Sequence, residues 1–241
     1  MSEPESGQAE AGRTEAGRTE AGSGPGWGAP LGKPTTTLLL RHGQTELSGE
    51  RRFSGRADTP LTKEGVKQAR LAARRLAQAG REIGVVLSSP LQRARRTAEA
   101  VAEATGAPLV IYEELIEADF GAWQGLTFAE ASAKWPGELA AWMASPDAAP
   151  PEGESFAMVA LRVLNGLDKL IAAYRHSTVV AVSHVTPIKT LVCRALLAPP
   201  EAMFRMNLDV ASLCHIDCYD NGSAVVRSLN DTAHLTRKRR G

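Results

Sequence analysis

Three short apolar runs of this sequence, each typical of a buried strand, are followed by basic or imidazole side chains. The four residues in these positions are Arg41, His42, Arg93 and His184. Because the carboxyl ends of parallel strands in α/β sheets meet at one crevice, we expect these four side chains to lie close together. Positively charged side chains that lie close together repel one another unless an anion binds between them. The planar guanidinium group of arginine is suited to binding phosphate. The pattern therefore predicts a site for a phosphoryl group.

Each of these residues has an ordinary structural interpretation when it is taken alone. A histidine after a strand more often makes a structural hydrogen bond than it catalyses a reaction, and a single arginine is more often a surface charge. The coincidence of two histidines and two arginines at three strand ends, with Gly43 directly after His42, favours a phosphate site.

The elements that must position these residues alternate between strands and helices along the chain. Apolar, β-branched runs predict strands over 36–40, 83–87, 109–112, 178–182, 211–219 and 224–229, with a hairpin signal at 220–222. Helical patterns cover 63–79, 90–104, 127–144 with a break at 135–136, 156–174 and 187–196. This order predicts an α/β fold, a three-layer α/β/α sandwich whose central sheet is mostly parallel with one antiparallel edge strand.

The helix starts are predicted from capping residues. Thr62 and Ser155 stand directly before helical patterns. Ser89 and Thr186 are each followed by a proline, a combination that is typical of an N-cap and the first helical position.

The two ends of the chain differ in composition from the rest. Residues 1–34 contain the repeated segment EAGRT and then a run rich in glycine and proline, so we expect a disordered low-complexity tail there. Residues 236–241 form a basic tip, which we expect to be solvated. The remaining 35–235 are sufficient for one domain.

Composition and charge exclude several classes of protein. Lys and Arg total 28 against 27 Asp and Glu, so we expect no specific nucleic-acid partner held by bulk positive charge. No run reaches the roughly 18 apolar residues of a membrane helix, and the first thirty residues lack the apolar core of a secretion signal. Cys193, Cys214 and Cys218 lack CxxC spacing, so we expect buried thiols in a reducing cytoplasm. The sequence leaves the oligomeric state open.

Four blocks of the sequence resemble the histidine phosphatase superfamily, which is also called phosphoglycerate-mutase-like. They are Arg41-His42-Gly43, SSPLQRARRTA at 88–98, LIEADFGAWQG at 115–125 and SHVTP at 183–187. NDTAHL at 230–235 resembles the closing segment of these phosphatases, so the similarity extends over 36–235. RHGQTEL, RRFSGR and SHVTPIK are most similar to the acid phosphatase domain of bifunctional RNase H/acid phosphatase proteins.

The resemblance implies a role for each residue of the predicted site. His42 would accept the phosphoryl group on one ring nitrogen while the Gly43 carbonyl holds the N–H of the other. Glu117, which stands in an L-x-E-x-x-x-G pattern, would protonate the leaving alkoxide and then activate water. The phosphoryl oxygens would be held by Arg41, Arg93 and His184, with His184 cationic once phosphate is bound.

Secondary contacts to phosphate are expected from seven further residues: Gln44, Thr45, Ser48, Ser54, Gly55, Val185 and Thr186. Many members of the family carry Asn at the position of Ser48 and Gly at the position of Val185, so this chain departs from the family pattern at both. The N–H groups at the start of the helix that follows His184 are also candidates, because helix N-termini bind anions.

Phosphate monoester hydrolysis by a metal-independent enzyme without a cofactor is the first hypothesis, because RHGQT with Leu47-Ser48 resembles the phosphatase branch. Mutases of the superfamily more usually carry Trp-Asn at those two positions, and no extra basic loop for a second phosphate is evident. Phosphoglycerate-mutase-type transfer, α-ribazole phosphatase activity and non-catalytic binding of a phosphorylated ligand stay open.

A metal site and the choice of substrate complete the predictions. His42, His184, Glu117 and Asp119 are candidate metal ligands, but two arginines beside them would oppose a cation. Glu113, Glu114 and Asp119 are nearby alternatives to Glu117 as the general acid. Substrate choice is expected in 120–155, whose aromatic residues (Phe120, Trp123, Phe128, Trp135 and Trp142) should divide between core and pocket wall.

Overall fold

The computed structural model describes residues 32–236. The low-complexity tail predicted over 1–34 lies outside these residues except for its last three, which lead into the first strand. The basic tip predicted over 236–241 also lies outside them, apart from Thr236.

Within residues 32–236, six strands form one mixed sheet in the order β3-β2-β4-β1-β5-β6. Their bounds are β1 Thr35–Arg41, β2 Val85–Ser88, β3 Leu109–Ile111, β4 Thr178–Ser183, β5 Leu213–Cys218 and β6 Ala224–Asp231. The first four strands pair in parallel, whereas β5 runs antiparallel to both β1 and β6. The predicted mostly parallel α/β fold is confirmed. The antiparallel strand is second from the edge, because the hairpin after it returns the chain to its outer side.

Helices cover both faces of this sheet. Their bounds are α1 Glu46–Gly49, α2 Lys63–Ala77, α3 Gln92–Thr105, α4 Phe128–Lys134, α5 Pro136–Ala144, α6 Phe156–Ala173 and α7 Val185–Leu196. Leu40 on β1 packs with apolar residues of α2 and α3, whereas Leu39 packs with those of α6 and α7. Successive side chains of a strand point to opposite faces, so the same strand contributes to both cores.

Two of the four predicted helix caps are present and two are wrong. Thr62 and Ser155 accept the N–H groups of Gly65 and Met158 at 3.0 and 3.2 Å, as N-caps do. In contrast, α3 begins at Gln92, two residues after Pro90, and α7 begins at Val185, directly after His184.

Ser89 does not cap α3, because its hydroxyl accepts the N–H of Leu91, which precedes the helix. Thr186 lies within α7, whose first N–H groups donate to Glu117. The Ser89 hydroxyl lies 2.7 Å from Nε2 of His184. The first N–H of α3, that of Gln92, is instead accepted by Asp58 from a distant turn at 2.5 Å. The strand expected over 211–219 also begins later, at Leu213, because Ala211 has left-handed backbone geometry with φ of +55°.

The end of β1 and the first turn of α2 approach each other very closely at two glycines. A Cβ atom on Gly43 would overlap the carbonyl oxygen of Gly65, and one on Gly65 would overlap that of Gln44. The chain therefore requires glycine at both positions to bring α2 beside the residues that follow β1.

Candidate active site

His42 lies directly after β1 and is 3% exposed. Its Nδ1 is 2.7 Å from the carbonyl oxygen of Gly43, which can only accept, so Nδ1 carries the proton and Nε2 presents a lone pair. Arg93 donates from Nε to this Nε2 at 3.3 Å. Burial, together with the charges of Arg93 and Arg41, lowers the pKa of His42 well below its usual value. The ring is therefore neutral, with its nucleophilic nitrogen available for an electrophile.

Arg93 is fully buried in the first turn of α3. Its Nη1 and Nη2 donate to the carbonyl oxygens of Ala57 and Gly55 at 2.6 and 2.7 Å. Burial lowers its pKa to about 10, against the opposing effect of the charges of Glu117 and Asp58. The guanidinium is thus still charged near neutral pH and is held in one orientation beside His42.

The turn that holds Arg93 is itself held by the side chain of Gln124. Oε1 of Gln124 accepts the N–H groups of Arg56 and Ala57 at 2.6 and 3.2 Å. Gly55 has φ of +49°, and a Cβ atom there would overlap the Gln124 amide. The contribution of Gly55 to the site is therefore a carbonyl that orients Arg93.

Arg41 is the last residue of β1, and its Nη1 donates to the carbonyl oxygen of Leu208 at 2.5 Å. Its Nε atom is buried and has no hydrogen-bond partner among residues 32–236. Burial lowers the pKa of Arg41, while the charges of Glu117 and Asp209 act in the opposite direction. A buried N–H donor without an acceptor is costly, so this atom is suited to an incoming anion.

His184 follows β4 and is fully buried, with its ring centroid 5.0 Å from that of His42. Its Nε2 contacts Ser89, whereas its Nδ1 is buried without a partner in the described part of the chain. Burial, and then the charges of Arg93, His42 and Arg41, lower the pKa of His184 well below its usual value. Both imidazoles at this site are therefore neutral in the absence of an anion.

Glu117 is 5% exposed and its carboxylate sits at the N-terminus of α7. Oε1 accepts the N–H groups of Ala118 and Thr186 at 2.8 and 3.2 Å, and Oε2 accepts that of Val185 at 3.1 Å. The positive end of a helix stabilises such a carboxylate. The first N–H groups of α7, which the sequence suggested as phosphate donors, thus already bind Glu117.

A cavity of about 740 Å³ is lined by four of these five residues and by an aromatic wall, whereas the fully buried His184 is not among its lining residues. Arg41, His42, Arg93 and Glu117 line its reactive end. Apolar side chains also line the cavity and form its aromatic wall, namely Phe53, Phe120, Phe128, Trp142, Met143, Phe156, Met203 and Phe204. Phe128, Met143 and Phe204 are 48%, 45% and 43% exposed, so part of this wall is apolar surface open to solvent. Such a cavity can hold a phosphate ester together with an apolar leaving group.

The model of the histidine phosphatase superfamily (branch 1) matches residues 37–232. The chain belongs to this superfamily. Members of it are phosphatases and mutases, so the four clustered basic residues and Glu117 lie in the fold of an enzyme family.

Three similar proteins illustrate the range of the relatives of this chain. The bifunctional protein Rv2228c of Mycobacterium tuberculosis is 47% identical over 211 residues, which are 88% of this chain and 58% of that protein. Phosphoserine phosphatase 1 of Hydrogenobacter thermophilus is 32% identical over 199 residues, which are 82% and 93% of the two chains. The mycobacterial glucosyl-3-phosphoglycerate phosphatase Rv2419c, solved with VO3, has a TM-score of 0.75 at 30% identity and covers 82% of this chain and 100% of its own. The chain thus spans little more than half the length of the bifunctional relative.

Of the seven residues expected to make secondary contacts to phosphate, four line the cavity: Ser48, Ser54, Val185 and Thr186. The other three do not. Gln44 accepts a hydrogen bond from Thr62 at 3.0 Å, and Thr45 accepts the N–H of Ser48 as the N-cap of α1. These two side chains organise the segment after His42, and Gly55 orients Arg93.

The sequence interpretation missed several residues of the cavity. Lys189 lies one turn after Val185 on the same face of α7 and lines the cavity half-buried, with no hydrogen-bonded or ion-paired partner among residues 32–236. Burial, and then the charge of Arg41, lower its pKa. The spacing of four from Val185 is a signal that could have identified it. Arg51 and Asp209 also line the cavity, but nothing in their sequence context indicates this.

The remaining predictions concern metals, membranes and the aromatic residues. Within the described residues no three His, Cys, Asp or Glu side chains are grouped to hold a metal ion, and Asp119 accepts the N–H of Gly121. No helix there has the length and apolar character that crossing a bilayer requires. Trp123 is fully buried in the core, whereas Phe120 and Trp142 face the cavity and Phe128 lies at its rim.

Proposed function

We propose that this member of the superfamily hydrolyses phosphate monoesters, without a metal ion, through a phosphohistidine formed on Nε2 of His42. One observation carries the proposal. Nε of Arg41 and Nδ1 of His184 are both buried and both lack a partner in the described structure, and His184 adjoins the neutral ring of His42. A phosphoryl group at Nε2 would present oxygens to these nitrogens and to Arg93, which would satisfy the unpaired polar atoms.

The first chemical step forms a bond from Nε2 of His42 to phosphorus and breaks the bond from phosphorus to the ester oxygen. Arg93, which donates to Nε2 of His42 in this structure, would transfer that hydrogen bond to a phosphoryl oxygen. Catalysis of this step consists mainly of positioning and charge stabilisation, and buried cations supply both.

Glu117 would supply the proton for the leaving alkoxide. Its Oε1 accepts two N–H groups, whereas Oε2 accepts one and keeps a lone pair on which a proton can be carried. In the second step water attacks phosphorus, Glu117 takes the proton of that water, and the bond from phosphorus to Nε2 breaks to release inorganic phosphate.

The aromatic wall of the cavity favours the binding of esters whose leaving group has an apolar or flat surface. Acid phosphatase-like activity on aryl esters fits this wall, and so does α-ribazole phosphatase activity, because α-ribazole carries an aromatic base. A phosphorylated alcohol that is small and wholly polar would leave this apolar surface uncovered.

Phosphoglycerate-mutase-type transfer is the second candidate, and one observation favours it. Arg51 and Lys189 line the cavity in addition to the arginines at the reactive end, so a second anionic group could be held there. Incubation with 3-phosphoglycerate separates the two functions, because ³¹P NMR distinguishes inorganic phosphate from 2-phosphoglycerate. Formation of 2-phosphoglycerate faster than inorganic phosphate would establish the mutase.

The test of the proposed function uses 4-nitrophenyl phosphate with the full chain. We expect turnover that persists in EDTA, loss of turnover in His42→Ala, and an acid-labile, base-stable phosphoryl adduct on the peptide that contains His42. An adduct on another peptide, or activity restored only by an added metal ion, would exclude this mechanism. Binding of inorganic phosphate without any turnover would instead establish the non-catalytic alternative.

A further inference from the structure

Residues 207–212 form a loop, here called the arginine loop. It contacts Arg41, the last residue of β1, and His42, which follows that strand. The carbonyl oxygen of Leu208 accepts Nη1 of Arg41 at 2.5 Å. The N–H of Ala211 donates to the carbonyl oxygen of His42 at 3.0 Å. A shift of this loop would therefore move the guanidinium of Arg41 and the backbone of His42 together.

The arginine loop is held in turn by residues 230–234, part of the NDTAHL block that the proposed mechanism does not use. Oδ1 of Asn230 accepts the N–H of Asp209 at 2.7 Å, and Nδ2 of Asn230 donates to Oδ2 of Asp209 at 2.8 Å. Nε2 of His234 lies 3.0 Å from the carbonyl oxygen of Ala211. Two side chains of this segment thus bind two points of the loop.

The protonation of His234 follows from its two neighbours. Nη1 of Arg75 lies 3.2 Å from Nδ1 of His234, and a guanidinium can only donate, so Nδ1 is the acceptor. Nε2 therefore carries the proton and donates to Ala211, whose carbonyl can only accept. Burial, and then the charge of Arg75, lower the pKa of His234, in agreement with a neutral ring. Asp231 forms an ion pair with Arg75 that fixes the guanidinium in place.

The backbone at both ends of this contact is in a conformation that non-glycine residues rarely adopt. Ala211 has φ of +55° and Asn230 has φ of +53°. Such geometry is unfavourable for alanine and better tolerated by asparagine, and contacts with neighbouring groups stabilise it. The hydrogen bonds of Asn230 and His234 are contacts of this kind.

We propose that residues 230–234 are a latch that positions Arg41 and His42 through the arginine loop, with Asn230 and His234 as its positioning residues. The inference rests on the proposed function, because it assigns these residues to the alignment of the phosphoryl-binding groups. Loss of the latch is expected to weaken the binding of the transition state more than the binding of the substrate, since Arg41 acts on the charge of the phosphoryl group.

The experiment compares His234→Leu with His234→Gln. The glutamine amide can donate to Ala211 and accept from Arg75, whereas leucine can do neither. We expect His234→Leu to lower kcat on 4-nitrophenyl phosphate about tenfold or more with a smaller change in KM, and to weaken inhibition by vanadate similarly. His234→Gln should restore most of both quantities. His176→Leu replaces an exposed histidine that does not line the cavity, so this variant is the control and should leave both quantities unchanged.

Asn230→Asp provides the second variant, because it keeps the size of the side chain and places a carboxylate against Asp209. We expect the same loss of kcat and of vanadate inhibition. The latch would be overturned if folded His234→Leu kept the wild-type kcat and vanadate inhibition. If His234→Leu does not fold, the same result in folded Asn230→Asp would overturn it. If the wild-type chain turns over no ester, the proposed function fails separately, and vanadate affinity measured by calorimetry still tests the latch.

Discussion

The rings of His42 and His184 lie with their centroids 5.0 Å apart and their planes inclined by 57°. Both rings are buried, and burial lowers both pKa values well below the ordinary range of histidine. Arg93 and Arg41 act in the same direction on each of them. The site therefore places two neutral imidazoles beside two guanidinium groups, and a bound dianion would raise the pKa of both rings.

Binding of an oxyanion is expected to take up a proton at His184. A dianion next to Nδ1 raises the pKa of this ring from its low value, so the ring becomes protonated as the anion binds. Calorimetric titration with tungstate at pH 7, in two buffers of different ionisation enthalpy, measures this uptake. His184→Asn serves as the variant that cannot take up the proton. Equal heats in both buffers for the wild-type chain would show that His184 stays neutral.

The free energy of unfolding is expected to fall as the pH falls below about 6.5, the pKa of an unperturbed histidine. The folded-state pKa values of His42, His184 and His234 are all lowered, so the unfolded chain binds more protons in this range. The fall amounts to about 1.4 kcal/mol per pH unit for each histidine between its folded pKa and about 6.5. Urea unfolding at pH 7.5, 6.5 and 5.5 measures the slope. His184→Asn should have a shallower slope, and an identical slope would contradict the assignment.

Glu117→Gln is expected to slow alkyl phosphates more than aryl phosphates. An alkoxide needs a proton as it leaves, whereas a nitrophenolate does not, so the loss should approach the roughly 10²–10⁴ typical of general acids only for the alkyl ester. Single-turnover rates with both esters measure the difference. Glu113→Gln, at an exposed carboxylate nearby, is the control. Equal slowing of the two esters would leave Glu117 without a role as the acid.

Much of the site could be predicted from sequence because its residues follow buried strands. The apolar runs that end at Arg41, Ser88 and Ser183 are the strands β1, β2 and β4, so the sheet brings His42, Arg93 and His184 to one edge. This prediction did not require the order of the strands, because the carboxyl ends of parallel strands lie at the same edge of a sheet. In the structure the three strands are parallel and adjacent.

The parts that sequence could not supply depend on contacts between distant segments. Ser89 and Pro90 have the pattern of a helix start, but the Ser89 hydroxyl contacts His184, which lies 95 positions later. Asp58 occupies the start of α3 instead. A sequence pattern shows only the hydrogen-bond partners that are near in sequence. Which partner a hydroxyl or a first-turn N–H binds depends on the segments that the fold brings next to it.

Lys189→Met is expected to reduce selectively the hydrolysis of phosphate esters that carry a second acidic group. Lys189 lines the cavity half-buried, and the described residues offer it no acidic partner, so a carboxylate of the substrate would gain a charge-assisted hydrogen bond there. We expect kcat/KM for phosphoserine and 3-phosphoglycerate to fall about tenfold, while that for 4-nitrophenyl phosphate stays within about twofold. Lys67→Met, at an exposed lysine paired with Glu64, is the control. A parallel fall for all three esters would mean that Lys189 acts on the transferred phosphoryl group, and no fall for any of them would mean that it contacts no substrate.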